Sequence, residues 1–423
     1  MVSALDRAWI PRGVVRAPLT RFGLWVGLWL GVFAVGAYAM YLCLADGLFH
    51  TNMDNRYVFG LWIFLDLTVI ALGAGAFFTG FLLYVLRKKE LKAVINSAVV
   101  LGLICYSGAM VILAVDVGQP LRAWFTYWYP NAHSMLAEVT FCITCYLLVL
   151  CIEYVPILLK NRRLRGIGGY LVFEHELHKL MVVFALIGTL LSFFHQGSLG
   201  GLFGVLRGRP FAFREGFAIW PSTFFLFILS AIAAGPSFIA LTTWLVEKIS
   251  RRRLISAEAY DTLARISGKM LMLYVLMKSL DTLFWLNQTA PARGFPAHRF
   301  YEFGNFGGWT LFIEIVILGL LPGLALIHAP LRAKRPVLLA AALAACAGVT
   351  LNRFVLTIQT MALPTLPFDR LMSYWPSWQE FAAFGAVVAY GVLVYSFSFR
   401  YLTLFPQERE LTRAELMQRS QEA

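Results

Sequence analysis

The stretch VFGLWIFLDLTVIALGAGAFFTGFLLYVL, from Val58 to Leu86, holds 29 residues and one charged side chain, Asp66. A helix needs about 20 consecutive apolar residues to cross the hydrocarbon core of a bilayer. This stretch is long enough, and Arg87-Lys88-Lys89 ends it. Working outward, nine further stretches share its character, at about 22–45, 93–115, 134–158, 179–199, 220–246, 268–288, 309–328, 336–360 and 379–402. The expected fold is therefore all-α and membrane-integral, with ten transmembrane helices over residues 22–402. Residues 1–21 and 403–423 are short polar flanks. The connections are too short to hold a sizeable soluble domain.

Composition agrees with this reading. The 423 residues are 59% hydrophobic and 14% charged, with mean hydropathy +0.70. A soluble domain carries about 25% charged and 45–50% apolar residues, so a water-soluble globular enzyme is excluded. A disordered chain is excluded by 35 Phe, 17 Tyr and 12 Trp. The net charge of +13 suggests nucleic acid only on a soluble protein. Here 26 of the 36 Lys and Arg fall in the flanks and alternate connections that include 87–92, 160–179, 248–269 and 332–335. Only eight fall in the other connections: Arg56, Arg122, Arg207, Arg209, Arg214, Arg293, Arg299 and Arg370. By the positive-inside rule both termini are expected in the cytoplasm, and no nucleic-acid partner is implied. The charged run Phe173–Lys179 and the triplet Arg251-Arg252-Arg253 read as solvated flanks.

All six cysteines lie in expected spans, and Cys142/Cys145 lacks the second pair that a zinc or iron–sulfur site requires. No glycine-rich phosphate loop, G-x-S-x-G elbow or H-E-x-x-H occurs.

Charges inside hydrocarbon are costly, by about 2.5–3.5 kcal/mol on insertion scales, and so mark function. Asp66 lies about eight residues into the second span, roughly 12 Å from its outer end. Asp116 closes the third span on that side, His133 and Glu138 open the fourth, and His195 and Gln196 end the fifth. Titratable groups from four consecutive helices thus converge near the outer surface. Asp116 and His133 border loops, where an interfacial position explains them. Asp66 and Glu138 have side chains too short to reach water. A second set lies deeper: Glu153 in the fourth span, Lys278 and Asp281 in the seventh, Glu314 in the eighth and Arg353 in the ninth. Lys278 and Asp281, at i and i+3, are expected to pair. The set reads equally as structural ion pairs or as a proton route.

Several motifs make the chain recognisable. They include Asp116-Val117-Gly118, Asn131-Ala132-His133-Ser134 running to Glu138, Glu153-Tyr154-Val155-Pro156 and His195-Gln196-Gly197-Ser198-Leu199-Gly200. Leu65-Asp66-Leu67, Phe312-Ile313-Glu314, Arg353 and Trp375-Pro376-Ser377-Trp378-Gln379-Glu380 extend the match. Together they resemble the polysulfide-reductase membrane-subunit (NrfD-like) superfamily, most closely the branch with the membrane subunit of periplasmic hydrogenase-2. The resemblance runs from about 58 to 402. It implies two four-helix bundles, about 58–199 and 220–360, plus extra terminal helices, in the bacterial inner membrane. It also implies a quinone or menaquinone bound as substrate in the first bundle, with no haem or iron–sulfur cluster in this chain. Implied partners are a periplasmic ferredoxin-like iron–sulfur subunit and a catalytic or cytochrome subunit. Carried over, the site draws on Asp66, Asp116, Glu138, His195 and Gln196. Glu153, Glu314 and Arg353 match positions considered for proton transfer. His133 departs from the branch, which has an amide there, and Lys278/Asp281 stands for an Arg/Glu-type pair.

Quinone chemistry suits these residue types. Each carbonyl needs a hydrogen-bond donor, and quinol oxidation needs a proton acceptor. His195 can donate or exchange a proton, with Asp66 and Glu138 orienting it or taking the second. The expected function is a quinone-interacting membrane subunit of a respiratory oxidoreductase, with proton translocation as an extension. The competing expectation is a secondary transporter using the same buried charges. Against it, the charges gather at one face, and no paired Gly/Pro interruptions appear.

Overall fold

The computed structural model describes residues 4–55, 57–131, 133–161, 163–164, 170–209, 212–217, 220–294, 307–362 and 373–408, without the side chains of 4–5, 170–179, 216–217, 307–308 and 362. Of the residues weighed above, Arg56, Arg299 and Arg370 and the side chains of the 173–179 run lie outside these.

Ten long helices follow one another: α1 Leu19–Ala45, α2 Leu61–Tyr84, α3 Ile95–Asp116, α4 Met135–Leu159, α5 Tyr170–Gly204, α6 Ser222–Ser250, α7 Ala257–Phe284, α8 Trp309–Ile327, α9 Arg335–Gln359 and α10 Trp378–Tyr401. Apart from one two-residue β pair, Gly216–Phe217 with Trp220–Pro221, regular structure among the described residues is helical. This is the expected all-α integral membrane fold. Among the described residues, nine helices are long and apolar enough to cross a bilayer. The exception is α7, which occupies the place of the expected seventh span. It is 28 residues long but carries Glu258, Asp261, Arg265, Lys269, Lys278 and Asp281. The count of ten is therefore nine by apolar character, with α7 supplying length but not lipid-like composition.

Successive helices run in opposite directions, so each end of the molecule gathers one set of helix ends. At the end that holds both flanks, the Arg400 guanidinium donates to both Asp6 carboxylate oxygens, at 3.1 and 2.6 Å, and the Tyr401 hydroxyl donates to Asp6 at 2.9 Å. Arg16 forks onto Glu408. The Asn161 amide donates to the carbonyls of Trp9 and Tyr401. We call this the flank end and the opposite one the distal end.

Packing is the main cohesive force between helices in lipid, and small residues allow close approach. In the first half of the chain α2 packs on α3 and α5, α3 on α4, and α4 on α5. In the second half α6 packs on α7 and α9, and α8 sits between α7 and α9. The halves meet where α2 crosses α6. A Cβ built on Gly75 would lie 2.6 Å from Gly235 main chain, and one on Gly235 2.4 Å from the Gly75 Cα. Only glycine fits at either position. Ala71, Ala74, Ala231 and Ala234 extend this interface with Val349. α10 packs on α1 and α3, outside the first group of four. Each of α7, α8 and α9 contains or runs into a π-helical segment, at Trp285–Thr289, Ile313–Leu320 and Val355–Gln359. Such segments are common at functional sites.

Candidate functional site

Ser192, His195 and Gln196 sit at i, i+3 and i+4 on α5, so they share one helix face. All three are fully buried. That face looks onto α4, where Glu138, Cys142 and Tyr146 follow each other at four-residue spacing. The Tyr146 ring meets His195 edge to face, with centroids 5.3 Å apart. It also lies 4.2 Å from the Tyr106 ring of α3 and 5.9 Å from Phe77 of α2. The Tyr106 hydroxyl shares a 2.7 Å hydrogen bond with Ser192. Asp66, 5% exposed, is the sixth residue of α2. At 1.5 Å per residue that places it about 8 Å from the helix start. This is shallower than the expected 12 Å, because Val58–Gly60 lie outside the helix.

Several polar atoms here lack a hydrogen bond of good geometry: Asp66 Oδ1, Asp116 Oδ1, the Tyr146 hydroxyl, the His195 ring nitrogens and both Gln196 amide atoms. The His195 ring has the Val139 carbonyl of α4 beside it. An unpaired buried polar group costs roughly 1–3 kcal/mol, so native structures keep few of them. Several in one place describe a surface built for a polar guest. The group is also electrostatically linked. Tyr146 feels the Asp66 carboxylate, Asp66 that of Asp116, and Asp116 that of Glu380. The cluster thus offers donors from His195, Gln196 and Tyr146 beside two carboxyls.

Asp66, His195 and Gln196 are buried, Asp116 is half-buried at the end of α3, and Tyr146 packs against His195. Glu138 is half-buried, one turn from Cys142 and two from Tyr146. His133 stands apart, exposed in the connection before α4, where its main-chain N–H donates to the Asn131 side chain. Glu153 lies toward the flank end. It lines a cleft of about 460 Å³ with Phe77, Tyr84, Lys92, Asn96 and Lys160. Phe77 is the common wall, since it also touches Tyr106 and Tyr146.

The deeper charges form a second group in the α6–α9 half. Lys278 approaches Glu314 at 4.0 Å. Glu314 Oε1 also accepts from Tyr274, at 2.6 Å, and from Asn352, at 2.9 Å. Arg353 donates to Asn352 and Ser230, and its guanidinium lies 3.6 Å from the Phe227 ring centroid. The expected pairing of Lys278 with Asp281 is not what the fold does. Asp281 is held by Arg214 at 2.9 Å and by the Ser222 hydroxyl, while Lys278 turns to Glu314. Helical proximity loses to better partners from elsewhere in the chain.

Sequence reading does not single out Tyr146, Tyr106 or Glu380 as site residues. The faint signal for Tyr146 is its spacing from Glu138. Among the described residues no group of three His, Cys, Asp or Glu is placed to hold a metal ion.

Comparison with known proteins places these features in context. The family model described as "Polysulphide reductase, NrfD" matches residues 50–364. The chain is 48% identical to the "Menaquinone reductase, integral membrane subunit" of Nitratidesulfovibrio vulgaris, over 97% of this chain and 98% of that one. It is 24% identical to the "Probable Ni/Fe-hydrogenase 2 b-type cytochrome subunit" of Escherichia coli, over 78% and 79%. It is 23% identical to a selenate reductase subunit of Mesobacillus selenatarsenatis, over 89% and 93%. The helices, the buried cluster and these matches together make this multi-pass membrane protein a member of the NrfD polysulphide reductase family.

Proposed function

We propose that this chain is the quinone-reactive membrane subunit of a multi-subunit respiratory oxidoreductase, with a menaquinone-type substrate at the distal cluster. The carrying observation is that His195, Gln196, Tyr146, Asp66 and Asp116 all carry buried polar atoms short of hydrogen bonds, with Tyr146 packed on His195. The name of the 48% identical relative supports the substrate. Quinone plus two electrons and two protons gives quinol, so the site must supply or remove both. His195 and Gln196 are the carbonyl donors, and Tyr146 fixes the imidazole edge-on. Asp66 and Asp116 exchange the protons, and Glu138 stands at the entrance. Electrons pass to or from an iron–sulfur partner subunit on the distal face, which in turn serves a catalytic or cytochrome subunit. The loop charges put that face in the periplasm of a bacterial inner membrane, with the flanks cytoplasmic. No haem is assigned to this chain, because the ring against His195 is a tyrosine and not a second imidazole. A stoichiometric haem band in a reduced-minus-oxidised spectrum of the subunit would overturn that assignment.

In the same reading Glu153 and its cleft are the flank-side station of a proton route to the cluster, supported by the shared Phe77 wall. Lys278, Asp281, Glu314 and Arg353 contact mainly one another and Arg214, while Glu314 Oε2 and Arg353 Nε keep no hydrogen bond, an arrangement that fits a structural tie and a proton route alike.

The test is quinone-dependent electron transfer in the intact complex carrying His195→Ala or Asp66→Asn. A loss of about 10²-fold or more is expected for each, the size typical of a removed acid or base. Wild-type rates in both variants would remove the site.

A further inference from the structure

Glu380 is the third residue of α10, a helix that lies outside the group bearing the site. It completes a capping box with Ser377, accepting from the Ser377 N–H at 2.8 Å while its own N–H donates to Ser377 Oγ. In an ordinary capping box the glutamate serves only its own helix end. This one is fully buried and accepts two further bonds, from the Asn52 N–H at 3.1 Å and from the Tyr374 hydroxyl. Tyr374 in turn accepts the Leu61 N–H at 2.8 Å, one of the orphan donors at the start of α2. The Glu380 carbonyl accepts from the Trp62 indole at 3.0 Å. Gly60 makes the approach possible, since a Cβ there would lie 2.6 Å from the Tyr374 hydroxyl and 2.8 Å from Glu380 Oε1.

The first two residues of α2 are thus fastened to the first turn of α10. Asp66 follows just over one turn later. α10 also meets the end of α3, where Ile112 and Val115 pack with Trp62, Ala383 and Val387. The helix start that carries Asp66 is therefore referred to one buried group on a helix from the far end of the chain.

We propose that Glu380 is a positioning residue of the distal site, which sets the depth and rotation of Asp66 through Tyr374 and Trp62. The inference rests on the quinone reading above. It concerns how the acids are held, not which substrate they serve. Misplacing a catalytic group by about 1 Å costs on the order of 10²-fold in rate, so fastenings of this kind act on turnover more than on substrate binding.

The experiment uses the intact complex, with kcat and KM measured for a menaquinone analogue. Tyr374→Phe keeps the ring and removes the link to Leu61. Glu380→Ala removes every side-chain bond, and Glu380→Asp keeps the charge on a shorter arm. Expected are a fall in kcat of about tenfold for Tyr374→Phe and about 100-fold for Glu380→Ala, with partial recovery in Glu380→Asp and KM within about twofold throughout. Because Glu380 acts through Asp66, Tyr374→Phe in an Asp66→Asn background should add little further loss. Wild-type kcat in Tyr374→Phe, or losses that multiply with Asp66→Asn, overturn the inference. A wild-type rate in Asp66→Asn alone counts against the site itself, so the two failures are distinct.

Discussion

The Tyr146 ring stands at 84° to the His195 imidazole, and its buried hydroxyl has no partner in the protein. The ring contacts do not need that oxygen. Tyr146→Phe should therefore keep the packing and relieve an unpaired polar group, leaving stability unchanged or raising it by about 1 kcal/mol. Turnover with quinone should fall at the same time. Thermal unfolding in detergent and quinone-dependent electron transfer check the two halves. A variant both less stable and fully active would contradict the assignment of this hydroxyl to the site.

The crossing of α2 and α6 gives a second prediction. Gly75→Ala puts a methyl group 2.6 Å from Gly235 main chain, where no flexible side chain can yield. The cost should be about 1–3 kcal/mol, as for overpacked cores. Gly27→Ala on α1 meets nothing within 4 Å and is the control, with little change expected. Unfolding midpoints of the purified subunit measure both.

The Lys278–Glu314 contact predicts a cycle. Removing one member of a buried charged pair leaves the other uncompensated, at roughly 3–5 kcal/mol. Glu314→Gln alone strands the buried Lys278 and should destabilise strongly. Lys278→Met combined with Glu314→Gln should recover part of the loss. Additive losses would show that the two side chains do not interact.

The flank end carries a pH signature. The Arg400 guanidinium beside Asp6 holds its carboxyl below the ordinary value of 3.8. A lowered folded value means stability that is fully present above 3.8 and is lost as pH falls through the folded value. Asp6→Asn should lower the unfolding temperature at pH 7. The gap to the unmodified protein should narrow as pH drops below about 4. A gap that widens in acid would show that Asp6 gains nothing from Arg400.

Much of this is legible from residues alone, for identifiable reasons. Val58–Leu86 announces a membrane helix because apolar length is a one-dimensional property. Asp66, His195 and Gln196 stand out because polar groups are rare in such a setting. Tyr146 does not, since aromatics are 15% of the chain and a missing hydrogen-bond partner is a property of three dimensions. Lys278 and Asp281 mislead because helical neighbours are visible in sequence, while Arg214, 67 residues from Asp281, is not. Glu380 lies within a recognised motif, yet its contact with Asn52 spans 328 positions. His133, close to Glu138 in sequence, is exposed in the connection before α4 rather than buried on the helix.

The ion pairs Asp6–Arg400 and Arg16–Glu408 join segments separated by 394 and 392 positions. The polypeptide is in effect a closed loop, fastened once by these clasps and again where Gly75 meets Gly235. A backbone break in the connection between α5 and α6 would leave one clasp member on each fragment. Co-expressed fragments ending and beginning there should reassemble and purify as one particle, and the charge-reversed Arg400→Glu should weaken their recovery.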